Sequence, residues 1–183
     1  AAHTRGCSVP VQFPAIILGT SVVLGGGLVL AGAEAKLLDA LGPHLSLTHA
    51  VHLDQNEVDL LASSGTHVTH CPMTAMKGGY GASSAGLFPE MAAAGVNIQL
   101  GTDGNNNGNT SDIMRAMFAM AGLFKDARRD ANLFSAYSVL EAATINGAKG
   151  AQMADQIGSL EPGKKADFVL HDRNRPEWVP LFN

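Results

Sequence analysis

Three side chains able to ligate a metal or move a proton stand at matching places along the sequence: His49, His70 and Asp103. Each comes at the end of a short β-rich run, at 45–48, 66–69 and 96–100 respectively. In parallel α/β architectures the loops at the carboxyl ends of the strands converge, so residues far apart in sequence can share one site. One carboxylate and two imidazoles gathered there are suited to metal ligation and proton transfer. Asp103 lies in the run Gly101-Thr102-Asp103-Gly104, where the flanking glycines allow close backbone approach to whatever the carboxylate binds. A plain turn aspartate is the competing reading. His44, His52 and His67 read as hydrogen-bonded structural groups, and His171 as a surface residue. His67 and His70 are three apart, so on one strand they face opposite ways, and His70 is the one favoured for the site.

The elements that must position these groups follow from periodicity. An amphipathic stretch over 56–63 predicts a helix after the first strand, and a helix over about 86–94 is expected to stop at Gly95 after a Gly/Ser-rich loop. A third helix over about 111–124, capped by Thr110, Ser111 or Asp112, follows the third strand. Three consecutive βα units imply a parallel sheet. A further helix is expected over 136–146, then turns over 158–165 and a strand at 167–171 that opens a small separate β element. The expected organisation is a divergent segment over 1–44, the βα region over 45–155, and the start of a β segment over 156–183.

The run 15–33 is almost uncharged and punctuated by glycines. It is open to several readings: one or two buried strands of a parallel sheet, a secretory leader, a membrane span, or a mis-joined reading frame. Its glycines make a membrane span the least attractive of these.

Asp103-Gly104-Asn105-Asn106-Asn107-Gly108 also matches the first half of a calcium-binding loop, but the twelfth position holds Met114 instead of a bidentate glutamate. No dinucleotide fingerprint, phosphate loop or nucleophile elbow is present.

With 183 residues, 46% of them apolar and 15% charged, the chain suits one folded core and excludes a disordered chain. A net charge of −4 without a basic cluster argues against a nucleic-acid binder. Two cysteines, Cys7 and Cys71, cannot form a disulfide framework, which favours a reducing, cytoplasmic location. The chain opens on Ala1 and stops at Asn183 after an apolar, aromatic stretch, which reads as part of a longer protein.

Taken in order and spacing, Leu47-Thr48-His49-Ala50-Val51-His52-Leu53, Thr69-His70-Cys71-Pro72 and Gly101-Thr102-Asp103-Gly104 resemble the amidohydrolase superfamily. The resemblance is to the branch of cytosine, guanine and S-adenosylhomocysteine deaminases and triazine hydrolases. The stretches 143–148 and 157–167 support it, and the resemblance covers roughly residues 35–183.

It implies a partial TIM-like (β/α)₈ barrel, with this chain supplying strands six to eight and the start of a small β domain. It further implies one divalent metal, zinc or alternatively iron, with Asp103 as metal ligand and general base. His49 would hydrogen-bond the metal-bound water or stabilise charge in the tetrahedral intermediate, and His70 matches a frequent family position. The implied reaction is hydrolysis of a carbon–nitrogen bond, most simply deamination of a small aminated heterocycle, and a homo-oligomer of the complete protein is an open expectation.

The family's His-x-His pair and His-x-x-Glu motif occur nowhere in the sequence. His3 stands roughly where one ligand is expected, but Gly6 replaces the acidic partner. The isolated chain is therefore expected to be inactive, since catalytic zinc normally needs three protein ligands and an open position. The alternative is a non-catalytic βα binding module that keeps His49 and Asp103 as relics.

Overall fold

The computed structural model describes residues 41–172 and 174, together with the strand backbone at 17–18 and 21–22. Strands β1 (Ile17–Leu18) and β2 (Ser21–Val22) pair antiparallel, Ile17 opposite Val22. This corrects the expectation of parallel strands in that run, because a two-residue connection can only join antiparallel neighbours. The remaining positions of the run, with the leader and membrane readings, lie outside the described residues. Among the described residues no helix is long and apolar enough to cross a membrane.

Strands β3 (Ser46–Thr48), β4 (His67–His70) and β5 (Ile98–Leu100) form a parallel sheet in the order β3-β4-β5. Parallel strands need long crossovers, and helices provide them here. Helix α1 (Gln55–Ser64) joins β3 to β4. Asp54 accepts from Glu57 N while Glu57 reaches back to Asp54 N, and Gly65 closes the helix at φ 73°.

Between β4 and β5 run α2 (Pro72–Gly78) and α3 (Phe88–Ala93). Helix α2 replaces part of the expected Gly/Ser-rich loop. Pro72 opens it at a position where the missing N–H costs nothing, and Gly79 ends it at φ 64°. Gly95 follows α3 at φ 84°, as the sequence predicts.

After β5 come the single turn α4 (Asn105–Gly108) and the long α5 (Ile113–Arg128), capped by Asp112, which accepts from Met114 N and Arg115 N. The helix expected over 136–146 is instead two, α6 (Ala136–Ala143) and α7 (Ile145–Gly150), broken at Thr144 with φ −131° and ψ −94°. Thr144 Oγ1 donates to Leu140 O, and Asn146 Nδ2 donates to Ile98 O, which draws α7 onto β5. Residues 167–171 form no strand: their backbone is irregular, and Phe168, Val169 and Leu170 are exposed. No described strand lies beside them to supply a ladder.

The core fills the space between sheet and helices, with Val58, Val68, Phe88 and Phe124 fully buried. Arg128 ties α5 to α3 and its approach, donating to Glu90 Oε1 at 3.0 Å and Gly86 O at 2.8 Å. The other sheet face carries a polar layer in which Gln99 Nε2 donates to Ser46 Oγ at 2.8 Å and Thr69 Oγ1 at 2.7 Å. Those bonds satisfy groups that would otherwise be costly to bury.

Candidate metal centre

The parallel ladder continues one step past the strands, and that step fixes the site. His49 N donates to Thr69 O and Gly101 N donates to His70 O, each at 2.9 Å. His49, the residue after β3, holds a left-handed backbone at φ 72°, followed by Ala50 at φ 45°. Asp103, beyond β5, is left-handed as well, at φ 59°. Non-glycine residues in this region are uncommon and cluster where side-chain placement is functional.

The two oxygens of Asp103 have different partners. Oδ1 accepts from Gly104 N at 2.6 Å and Asn107 Nδ2 at 3.1 Å, while Oδ2 faces His49 Nε2 at 3.5 Å. Burial pushes the Asp103 carboxyl up, but the Gly104 N–H, the Asn107 amide, the nearby Thr74 hydroxyl and the His49 ring together hold it below the ordinary carboxylate range. The Thr74 hydroxyl is buried and makes no hydrogen bond of normal geometry. Lys77 Nζ spans from α2 to this loop, donating to Asn106 O at 2.7 Å and Asn109 Oδ1 at 2.8 Å. Tyr80 sets its ring edge-on to the His49 ring at 5.6 Å. With Oδ1 committed to its own loop and 105–108 wound into a helical turn, the calcium-loop reading fails.

The third group at this end is Cys71. Its thiol is 2% exposed, and single ligand atoms of His49, Cys71 and Asp103 all lie within 4.8 Å of one another. Burial, then the Asp103 charge, pushes the Cys71 thiol up to about 12, despite a hydrogen bond to the Asp103 backbone. Gly101 makes the room: a Cβ there would sit 2.9 Å from Thr69 Cγ2 and 3.0 Å from Cys71 Sγ.

His70 does not join these donors. Its ring packs 4.1 Å from Phe88 and 5.6 Å from Phe124 between centroids, on the helix-facing side with Val68. Neither ring nitrogen has a protein partner, and burial, aided by His49, pushes its pKa down to about 3. His67 is structural, as expected: Asn97 Nδ2 donates to His67 Nδ1 at 2.9 Å, which leaves the ring proton on Nε2 to donate to Pro43 O at 3.1 Å.

Of the three expected site residues, the structure thus brings together His49 and Asp103, and adds Cys71. Strand alternation was the available signal, since Cys71 shares its face with Thr69, which joins the polar layer, whereas His70 shares its face with core Val68.

An imidazole nitrogen, a carboxylate oxygen with a free lone pair and a thiol sulfur suit a borderline divalent ion such as zinc. The buried Nδ1 of His49, without a protein partner, leaves this ring unanchored by the protein alone.

The model of the amidohydrolase family matches residues 26–181, so the match begins earlier than the motifs alone indicate. The chain belongs to the amidohydrolase family. It is 38% identical over 151 residues to a 5-methylthioadenosine/S-adenosylhomocysteine deaminase of Syntrophobacter fumaroxidans, covering 82% of this chain and 34% of that protein. A namesake from Teredinibacter turnerae is 41% identical over 140 residues, covering 75% and 31%.

Among solved structures, an adenosine deaminase from Xanthomonas campestris with bound zinc superposes with a TM-score of 0.71 at 33% identity, over 81% of this chain and 33% of that one. The atrazine chlorohydrolase of Arthrobacter aurescens, complexed with zinc, shares the fold with a TM-score of 0.69 at 22% identity, over 78% and 31%. The chain spans about a third of the length of these relatives. Its three parallel strands with their helices are part of the amidohydrolase barrel.

Proposed function

We propose that the protein carrying this chain is a metal-dependent hydrolase that deaminates an aminated heterocycle of the purine-nucleoside kind. The observation that carries the reading is Asp103 Oδ2 set 3.5 Å from His49 Nε2 at the carboxyl ends of two strands of an amidohydrolase sheet. Relatives named for 5-methylthioadenosine and S-adenosylhomocysteine, and a structural relative named for adenosine, support the substrate class.

In this reading Asp103 holds the metal through Oδ2 while its loop retains Oδ1. A divalent ion held there would lower the pKa of a water molecule to about 7 and so supply hydroxide near neutrality. Asp103, kept charged by its neighbours, receives the proton and passes it toward the departing amine. His49 hydrogen-bonds the attacking oxygen through Nε2 and steadies charge as the ring carbon becomes tetrahedral. His70 contributes through position: wedged between Phe88 and Phe124, it holds the end of β4 from which Cys71 and α2 depart. Hydrolytic displacement on a triazine is the second reading, supported by an S-triazine hydrolase of Gordonia rubripertincta that is 34% identical over 146 residues. The free, buried Cys71 thiol fits a reducing cytoplasm.

The test is ammonia release by the complete gene product from adenosine, 5-methylthioadenosine and S-adenosylhomocysteine. Release abolished by chelation and restored by zinc is expected, with Asp103→Asn lowering kcat/KM by about 10²–10⁴-fold. The 183-residue chain alone is expected to show no turnover, since it has neither the His-x-His nor the His-x-x-Glu motif. Chelator-insensitive activity, or no ammonia from any of the three, would sink the reading.

A further inference from the structure

Helix α2 leaves the end of β4 with Lys77 in its last turn and Tyr80 just beyond its cap, and these two side chains reach opposite partners. We propose that α2 sets the placement of both working groups: Lys77 positions Asp103 through the loop 104–109, and Tyr80 positions the His49 ring. The inference rests on His49 and Asp103 doing the chemistry proposed above, and it adds the residues that hold them relative to each other.

On the Asp103 side, Lys77 Nζ donates to Asn106 O at 2.7 Å and to Asn109 Oδ1 at 2.8 Å, across 29 and 32 residues of sequence. Neither acceptor is charged, so the contact is a directional brace and not an ion pair. Between the two braced residues lies Asn107, whose Nδ2 donates to Asp103 Oδ1 at 3.1 Å. Lys77 thus holds the turn that carries a partner of the carboxylate. The turn comes this close to α2 because Gly108 has no side chain. A Cβ there would stand 2.7 Å from Thr102 O, 3.3 Å from Thr74 Oγ1 and 3.4 Å from Met73 Cβ.

On the His49 side, Gly79 closes α2 at φ 64° and Tyr80 N donates back to Ala75 O at 3.0 Å, which fixes where the chain leaves the helix. The Tyr80 ring then folds over Gly78, where a Cβ would collide with Tyr80 Cε1 and stand 2.9 Å from Cδ1 and Cζ. From there it meets the His49 ring at 5.6 Å between centroids and 87° between planes. Such edge-to-face pairs have a preferred relative orientation. His49 Nδ1 has no protein partner, so no hydrogen bond fixes the tilt of its ring, and the Tyr80 contact sets it.

Both are positioning residues, acting through Asp103 and His49. A reacting constellation tolerates displacements of only about half an ångström, so loosening either support lowers the rate while the folded chain persists.

Two measurements test this, one of them independent of activity. In the dilute 183-residue chain, hydrogen exchange over 104–109 should accelerate in Lys77→Met and stay unchanged in Tyr80→Leu. Modification of His49 by diethyl pyrocarbonate, mapped by mass spectrometry, should accelerate in Tyr80→Leu and in Gly78→Ala, and return to the wild-type rate in Tyr80→Phe. Circular dichroism checks that each variant is folded. In the complete gene product, Lys77→Met and Tyr80→Leu should each lower kcat for ammonia release by roughly 10–100-fold with KM little changed, and Tyr80→Phe should recover most of the loss. Tyr80→Leu should add little to His49→Gln, and Lys77→Met little to Asp103→Asn, because each acts through its partner.

Unchanged exchange over 104–109 in Lys77→Met, or unchanged His49 modification in both Tyr80→Leu and Gly78→Ala, overturns the proposal. So does a wild-type kcat in either variant, or losses that simply multiply in the double variants. Failure of the complete gene product to release ammonia would instead strike the functional reading, and exchange and modification would still decide whether α2 holds the two groups.

Discussion

His70 shows how differently one residue type behaves at two neighbouring strand ends. His49 stands beside a carboxylate, while His70 is sealed among aromatic rings with both nitrogens unpartnered and its pKa pushed down to about 3. In the unfolded chain the same ring protonates near its ordinary 6.5. Below 6.5 the unfolded state therefore binds a proton that the folded state refuses. The stability contributed by a neutral His70 is present above that pH and falls as pH drops toward 3, by about 1.4 kcal/mol per pH unit. His67, held down mainly by burial, adds to the loss in the same direction. Urea midpoints should decline steadily between pH 6.5 and 4, and His70→Leu should flatten the decline. A wild-type midpoint independent of pH over that range would contradict the burial of a neutral imidazole.

At the level of the elements, the close approach of β4 and β5 at their carboxyl ends depends on Gly101. A methyl there meets Thr69 Cγ2 at 2.9 Å and Cys71 Sγ at 3.0 Å, so Gly101→Ala must part the strands or displace the thiol. It should destabilise the chain by about 1–3 kcal/mol in urea unfolding, more than alanine at Gly147, where an added Cβ meets nothing within 4 Å. Equal effects of the two would refute it.

Repeated βα alternation made the parallel sheet and its site end legible from sequence, because strand and helix periods are local properties. Helix α2 was obscured by the Gly79, Gly81, Ser83 and Ser84 that follow it, although Pro72 marks its first turn. The break at Thr144 was invisible, since it depends on Asn146 reaching Ile98 across the fold. The run 167–171, apolar at Phe168, Val169 and Leu170, satisfied strand propensity, but a strand exists only where a neighbour completes its ladder. Alternation from Thr69 also places Cys71 on the polar face beside His49 and Asp103, a signal that the preference for His70 over His67 leaves unused.

For the molecule as a whole, the sheet of β3, β4 and β5 hydrogen-bonds no further described strand at its two outer edges. Tyr137, Leu160, Phe168, Val169 and Leu170 add exposed apolar surface. Unpaired edges beside such surface recruit other chains. Sedimentation velocity of the 183-residue chain should reveal species heavier than the 19.0 kDa monomer, increasing with concentration. A single monomeric boundary at every concentration would show the edges to be protected.

The left-handed backbone at His49 and Asp103 has a bearing on how this protein can change. Glycine would relax either position by about 1–2 kcal/mol and would delete a donor in doing so. Heat tolerance and chemistry thus pull the same two codons in opposite directions. A library screened on thermal survival alone should enrich glycine at 49 and 103 and return sturdier, inert proteins.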